Sequence, residues 1–164
     1  MACKDNKDDT SLGSLLWQVI REHFIRHHHL LSRIGIYKGQ PQILELLWEK
    51  DGLTQKDIAE SLKLRPSTVT VTLGRMEKAG LLRRETDPRD MRVSRVYLTE
   101  RGRGLKKDIE EIDKMLEDEC FAGFTFEEKI LLRRFFIQIR DNLREVNRKE
   151  ENLSSVEIIT GGKK

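Results

Sequence analysis

Apolar positions along the chain fall into blocks separated by polar or glycine breaks, and the spacing inside each block sets its element. Over residues 11–32, Leu12, Leu15, Leu16, Val19, Ile20, Phe24, Leu30 and Leu31 recur mostly at three and four, the period of a helix. The stretch 35–39, with Gly35 and Gly39 at its ends, interrupts that period. Pro41 opens a short helix through Trp48, and Ile43, Leu44, Leu46 and Leu47 fill most of its surface. Asp51-Gly52 is a turn signal. Thr54 with Asp57 three residues on has the form of a capping box, so a helix over 55–62 follows, burying Ile58, Ala59 and Leu62. After a tight turn at 63–65, Pro66 suits a first helical position, where its missing N–H is not needed. That next helix runs to Ala79, turns Val69, Leu73 and Met76 inward, and stops at Gly80. Two short helices joined by such a turn form a helix-turn-helix.

Past Gly80 the period changes. Residues 81–84 and 94–98 carry β-branched and aromatic side chains suited to strands, and Thr86-Asp87-Pro88-Arg89-Asp90 between them is a polar tip. The pair predicts a β-hairpin. Thr99 caps a helix to about residue 119, with Leu105, Ile109, Ile112, Met115 and Leu116 on one stripe. Gly123 and Phe124 break the chain. Thr125 and Glu128 then form a second capping box before a strongly apolar helix over 130–146. The fold class is therefore mainly α with a small β-hairpin wing. The expected organisation is a disordered leader (1–10), a helical region (11–34 and 100–148), a winged helix-turn-helix region (35–99) and a flexible tail (149–164).

Composition narrows the class. At 164 residues the chain supports one well-buried core rather than two ordinary domains. Charged residues make up 36% and aromatic residues 6%, as in a helical protein with solvated faces. No apolar run reaches membrane-spanning length, and the first ten residues lack signal-peptide character, so the expected location is cytoplasmic. Cys3 and Cys120 have no metal or redox spacing and read as two free thiols; a peroxide-sensing role would need an activated, accessible thiolate.

Net charge is only +3, but residues 81–104 hold seven arginines against four acids, an excess equal to that of the whole chain. Arginine without lysine suits phosphate or base recognition, because guanidinium binds oxygens through a bidentate fork. A solvated charged loop is the plainer reading of the same run.

The stretches Gln42-Ile43-Leu44, Asp51 to Ala59, Ser67-Thr68-Val69-Thr70, Arg75 to Leu81, Asp87 to Arg92 and Val96 to Gly102 together resemble the multiple antibiotic resistance regulator (MarR) family. The likeness covers about residues 40–104, with the flanking helices agreeing in order and length. It implies a winged helix-turn-helix transcriptional regulator, expected to be a repressor, that binds double-stranded DNA as a two-fold dimer, and it makes the helical region (11–34 and 100–148) the dimerisation region. The last helix supports the dimer independently: Ile130, Leu131, Leu132, Phe135, Phe136, Ile137, Ile139, Leu143 and Val146 exceed what one buried face needs. Burial in a monomer core is the other use of that surface.

Site residues follow from the same reading. Ser67, Thr68, Thr70, Val71 and Arg75 lie on the outward faces of the recognition helix. Hydroxyls at a helix start can reach phosphates or base edges, and Val71 can touch a thymine methyl. Arg75 is either a guanine or phosphate contact or an exposed surface residue. Gln55 and Lys56 begin the preceding helix and suit backbone contacts. Arg89 at the wing tip suits a narrow A·T-rich minor groove. By resemblance, Asp87 and Arg92 brace the wing through an ion pair.

The chain also departs from the family pattern. Met91 replaces the first of two wing arginines, Val71 and Gly74 stand where arginine and aspartate are common, and Thr72 replaces an apolar residue. Gly74 costs the helix about 1 kcal/mol relative to alanine unless a close approach requires it. These differences suggest a different or weaker operator preference.

His23, His27, His28 and His29 cluster on the first helix. His23 and His27, one turn apart, can chelate a metal given a third ligand, which would make the protein a metal-responsive regulator. Alternatively they line an interface, or join Trp17 and Trp48 in a small-molecule effector pocket. No cofactor is implied. No P-loop, dinucleotide-glycine, HExxH, GxSxG or Cys–His pattern marks an enzyme. A winged-helix protein-interaction module without DNA binding is the remaining rival, and Arg75 with Arg89 speaks against it.

Overall fold

The protein is described from a computed structural model covering residues 11–160, the side chains of 151–160 excepted. Cys3 and residues 161–164 therefore lie outside the described residues, as does the expected leader.

Helix α1 (Leu12–Ser32) begins at an N-cap, Ser11, whose hydroxyl accepts from the Ser14 N–H, and a turn at Gly35 (φ 75°) ends its run. Helix α2 (Gln40–Glu49) follows Gly39, whose φ of 84° swings the chain before Pro41 starts the helix. A two-residue strand β1 (Leu53–Thr54) leads into α3 (Gln55–Ser61), and α4 (Pro66–Lys78) succeeds it after a turn that places Lys63 at φ 50°. The Thr54–Asp57 capping box forms in both directions. Strands β2 (Leu82–Asp87) and β3 (Asp90–Leu98) make the hairpin, with β3 central in a three-stranded antiparallel sheet of order β1-β3-β2. Helix α5 (Glu100–Cys120) and helix α6 (Phe126–Thr160) complete the order.

Chain compactness divides the molecule after Cys120. In the first unit one core gathers Ile43, Leu44 and Leu47 of α2, Ile58 of α3 and Val69, Leu73 and Met76 of α4. Leu81, Leu82, Val96 and Leu98 at the hairpin base join them, with Leu105, Ile109, Ile112 and Leu116 of α5. All three inward residues of α4 are fully buried. Met115, expected on the α5 stripe, is instead half exposed, because a residue next to Leu116 sits about 100° around the helix. Of the apolar residues of α1, only Leu30 and Leu31 are buried. The second unit is a turn at Gly123, a capping box in which Thr125 and Glu128 bond each other's backbone N–H groups, and α6.

Three expectations change. β1 was too short to show a period. The strands are longer than the apolar signal, because polar Glu85, Thr86, Asp90 and Arg92 complete the hairpin ladder or its bulge. Helix α6 continues to Thr160, past the end expected for it near residue 146, since nothing from 147 to 160 is a glycine or proline that would stop it.

Candidate nucleic-acid interface

Burial of Val69, Leu73 and Met76 fixes the rotation of α4 and leaves Ser67, Thr68, Thr70, Val71 and Arg75 exposed on the other side. Val71 keeps 53% of its surface in water. Not all these groups are equally available. The Thr70 hydroxyl donates to the Pro66 carbonyl at 2.8 Å and accepts from the Gln55 side-chain amide. Gln55 thus ties the start of α3 to α4 through its side-chain N–H. Lys56 is highly exposed and only loosely paired with Glu60, at 3.7 Å. The Arg75 guanidinium makes no ion pair among the described residues.

The far end of α4 is held by the start of α5. Arg101 Nη1 donates to the Ala79 carbonyl and Thr99 Oγ1 to that of Gly80, both at 2.7 Å. The Thr99 N–H reaches the Leu81 carbonyl at 3.1 Å, and Arg84 meets Glu77 of α4 at 3.3 Å. These bonds set the angle between recognition helix and wing.

The wing brace differs from the one expected. Asp87 pairs with Arg95, not Arg92: Arg95 Nε donates to Asp87 Oδ2 at 2.6 Å, while the other Asp87 oxygen accepts the Arg89 backbone N–H at 2.9 Å. Arg95 Nη1 also donates to the Gly52 carbonyl at 2.9 Å, pinning the hairpin to the turn before β1. The register explains the change. Thr86 faces Ser94, whereas Asp87 faces Asp90, so Arg92 lies in a bulge without a β2 partner and its backbone N–H goes to Asp90. Arg95, in the regular ladder, reaches Asp87 instead. Hydrogen bonds from the Arg89 N–H and then the Arg95 guanidinium hold the Asp87 carboxyl below the usual carboxylate range. The result is an ordered tip on which Arg89 stands exposed, its side chain in no ion pair among the described residues.

A second carboxylate anchors the wing root. Asp51 Oδ1 accepts from the Leu98 N–H at 3.0 Å, and its Oδ2 from Arg103 Nη1 of α5 at 2.7 Å. Sequence reasoning assigned roles to neither Asp51 nor Arg95. The Asp-Gly turn was visible, but which arginine of seven would close on which acid depends on the bulge.

The expected effector residues are not gathered into one site. Trp17 is 73% exposed on α1, whereas the Trp48 indole packs against the core and donates to the Gly102 carbonyl at 3.1 Å. His23 and His27 have ring centres 6.1 Å apart, and His27 Nε2 lies 2.9 Å from Asp113 Oδ1 on α5. Glu45 of α2 shares that neighbourhood, and burial with the nearby Asp113 charge holds its carboxyl above the usual range. Among the described residues no three His, Cys, Asp or Glu side chains are arranged to hold a metal ion. Cys120 is exposed and free. A cavity of about 400 Å³ opens elsewhere, between Leu46 and Lys50 of α2, Asp57 and Glu60 of α3, and Arg95 of the wing.

Comparison with known proteins identifies this arrangement. The sequence model of the MarR family matches residues 36–94, from just before α2 into β3 of the wing. The organic hydroperoxide resistance transcriptional regulator of Bacillus subtilis is 37% identical over 106 residues, which span 65% of this chain and 72% of that protein. The chain belongs to the MarR family. This MarR-family protein is a DNA-binding transcription regulator with a winged-helix fold. It is also 32% identical to the HTH-type transcriptional regulator TtmR of Methylorubrum extorquens over 71% of its own length, a match spanning 59% of TtmR. Among solved structures, a mutant of S. aureus MepR bound to an oligodeoxyribonucleotide superposes with a TM-score of 0.62 at 25% identity, covering 82% of this chain and 99% of that one. No helix among the described residues is long and apolar enough to cross a membrane.

Proposed function

We propose that this regulator is a homodimeric repressor reading a pseudo-palindromic operator, with α4 in the major groove and the wing tip in the flanking minor groove. The observation that carries this reading is the pairing of two exposed elements held rigidly by internal bonds. One is the outward face of α4, with Ser67, Thr68, Val71 and Arg75; the other is Arg89 on a tip fixed by the Asp87–Arg95–Gly52 chain. Lys56 supplies a backbone contact beside them, while Gln55 and Thr70 set the mutual position of α3 and α4. The DNA-bound MepR structure supports the same use of the fold. A DNA operator fits a cytoplasmic location, and a small-molecule effector would act by favouring one spacing of the two heads over another.

Selection from a randomised duplex pool tests the proposal. Enrichment of a two-fold-symmetric site with half-sites about 10–10.5 base pairs apart is the expected result. Retention without sequence enrichment would make the protein a non-specific DNA coater, and no retention would leave a protein-interaction module. On the recovered site, Arg89→Ala should weaken binding roughly tenfold, more so with A·T-rich flanks, while the solution mass stays unchanged. Equal affinity for Arg89→Ala and the parent at two salt concentrations would remove Arg89 from the interface.

A further inference from the structure

We propose that Val71 and Gly74 form an apolar recess on the outward face of α4 that takes the C5 methyl group of a thymine, making Gly74 a specificity-determining residue. The inference rests on the reading that this face of α4 meets the major groove. Ser67, Val71, Gly74 and Lys78 recur at four, three and four, so they form one stripe opposite the buried Val69, Leu73 and Met76. A Cβ added at Gly74 would meet nothing within 4 Å. The glycine is therefore not required by packing inside the chain, and its backbone is ordinary helix, so conformation does not require it either. A residue that weakens a helix with no return inside the molecule points to a return outside it.

The neighbours give that return its chemistry. Val71, one turn before, exposes its methyl groups. Thr70 beside it has its hydroxyl proton on Pro66 and accepts from Gln55, and the Thr72 hydroxyl donates to the Thr68 carbonyl at 2.9 Å. Val71 and Gly74 thus present apolar surface and a gap beside the Arg75 guanidinium, with the neighbouring Thr70 and Thr72 hydroxyl protons already donated within the helix. In the major groove the one apolar base feature is the thymine methyl.

The test uses the full-length protein and the site it enriches from a random pool, followed by fluorescence anisotropy. Each thymine of one half-site is replaced in turn by deoxyuridine, which lacks only the methyl group. At one position the parent protein should lose about fourfold in affinity, the value of one buried methyl. Gly74→Ala should raise Tm by roughly 2–4 °C. It should also bind the thymine duplex about tenfold more weakly, as overfilling a close contact does, and respond no further to deoxyuridine. Gly104→Ala on α5, where a Cβ also meets nothing, is the control: a similar rise in Tm with unchanged affinity. An enriched site with no deoxyuridine-sensitive thymine, or Gly74→Ala binding as tightly as the parent, overturns the recess alone. Failure of the parent to enrich any site overturns the α4 reading and the recess with it.

Discussion

Arg95 closes three parts of the chain with one guanidinium: Asp87 near the wing tip, the Gly52 carbonyl before β1, and its own place on β3. Arg92, three residues earlier, touches Asp90 through its backbone only. Replacing each by alanine should separate the two. Arg95→Ala should loosen the hairpin and weaken DNA binding roughly tenfold without touching DNA itself, the size expected for a residue acting through another. Arg92→Ala should leave the hairpin amides as protected from hydrogen exchange as in the parent. If amide protection across β2 and β3 survives Arg95→Ala, the brace is not Arg95. The same pair gives the wing a pH dependence of fixed sign. Asp87 has a folded value below its unfolded one, so its contribution is present above the ordinary carboxylate value of about 3.9 and fades as pH falls through the lower folded value.

At the scale of elements, the junction of α4, β2 and α5 leaves no room. A Cβ on Gly102 would lie 2.1 Å from the Leu81 carbonyl oxygen, a backbone atom that cannot step aside, and the Gly102 carbonyl accepts the Trp48 indole N–H. Gly102→Ala should therefore cost roughly 1–3 kcal/mol, read as a lower urea midpoint, opposite in sign to the same change at Gly74. A midpoint at or above that of the parent would show that α5 can shift away from Leu81. Elements of this kind were largely legible in the sequence: Thr54, Pro66, Gly80, Thr99 and Thr125 each carry a local start or stop signal, and each marks a boundary within a residue or two. The outward face of α4 was legible too, because three buried positions fix the rotation of a helix. What stayed hidden depends on register and on partners distant in sequence. The bulge that removes Arg92 from Asp87, the two-residue β1, and Asp51 reaching Leu98 and Arg103 have no local period to announce them. The effector residues stayed undetermined for the same reason: Trp48 was expected in a pocket with Trp17, His23 and His27, and that its indole N–H goes to the Gly102 carbonyl has no local signal in the sequence.

At the scale of the whole molecule, two separate helices leave apolar side chains in water. On α1, Leu12, Trp17 and Phe24 are 86%, 73% and 65% exposed; on α6, Ile130, Leu143 and Val146 are each more than half exposed. Exposed apolar surfaces of this kind mark a partner, and a second copy is the one the proposed two-fold operator would require. Light scattering at micromolar concentration should give twice the 19.2 kDa of one chain. Leu143→Glu, which sets a charge in that apolar surface, should shift the mass toward one chain while far-ultraviolet circular dichroism keeps its helical signal. The same variant should still bind an isolated half-site, because α4 and the wing belong to the first unit, but lose the affinity gained by holding two heads on one duplex. A single-chain mass for the parent protein would end the dimer reading and leave each head to bind alone. If Leu143→Glu stays dimeric with full operator affinity, α6 is excluded from the contact, and the exposed face of α1 becomes the surface to alter next.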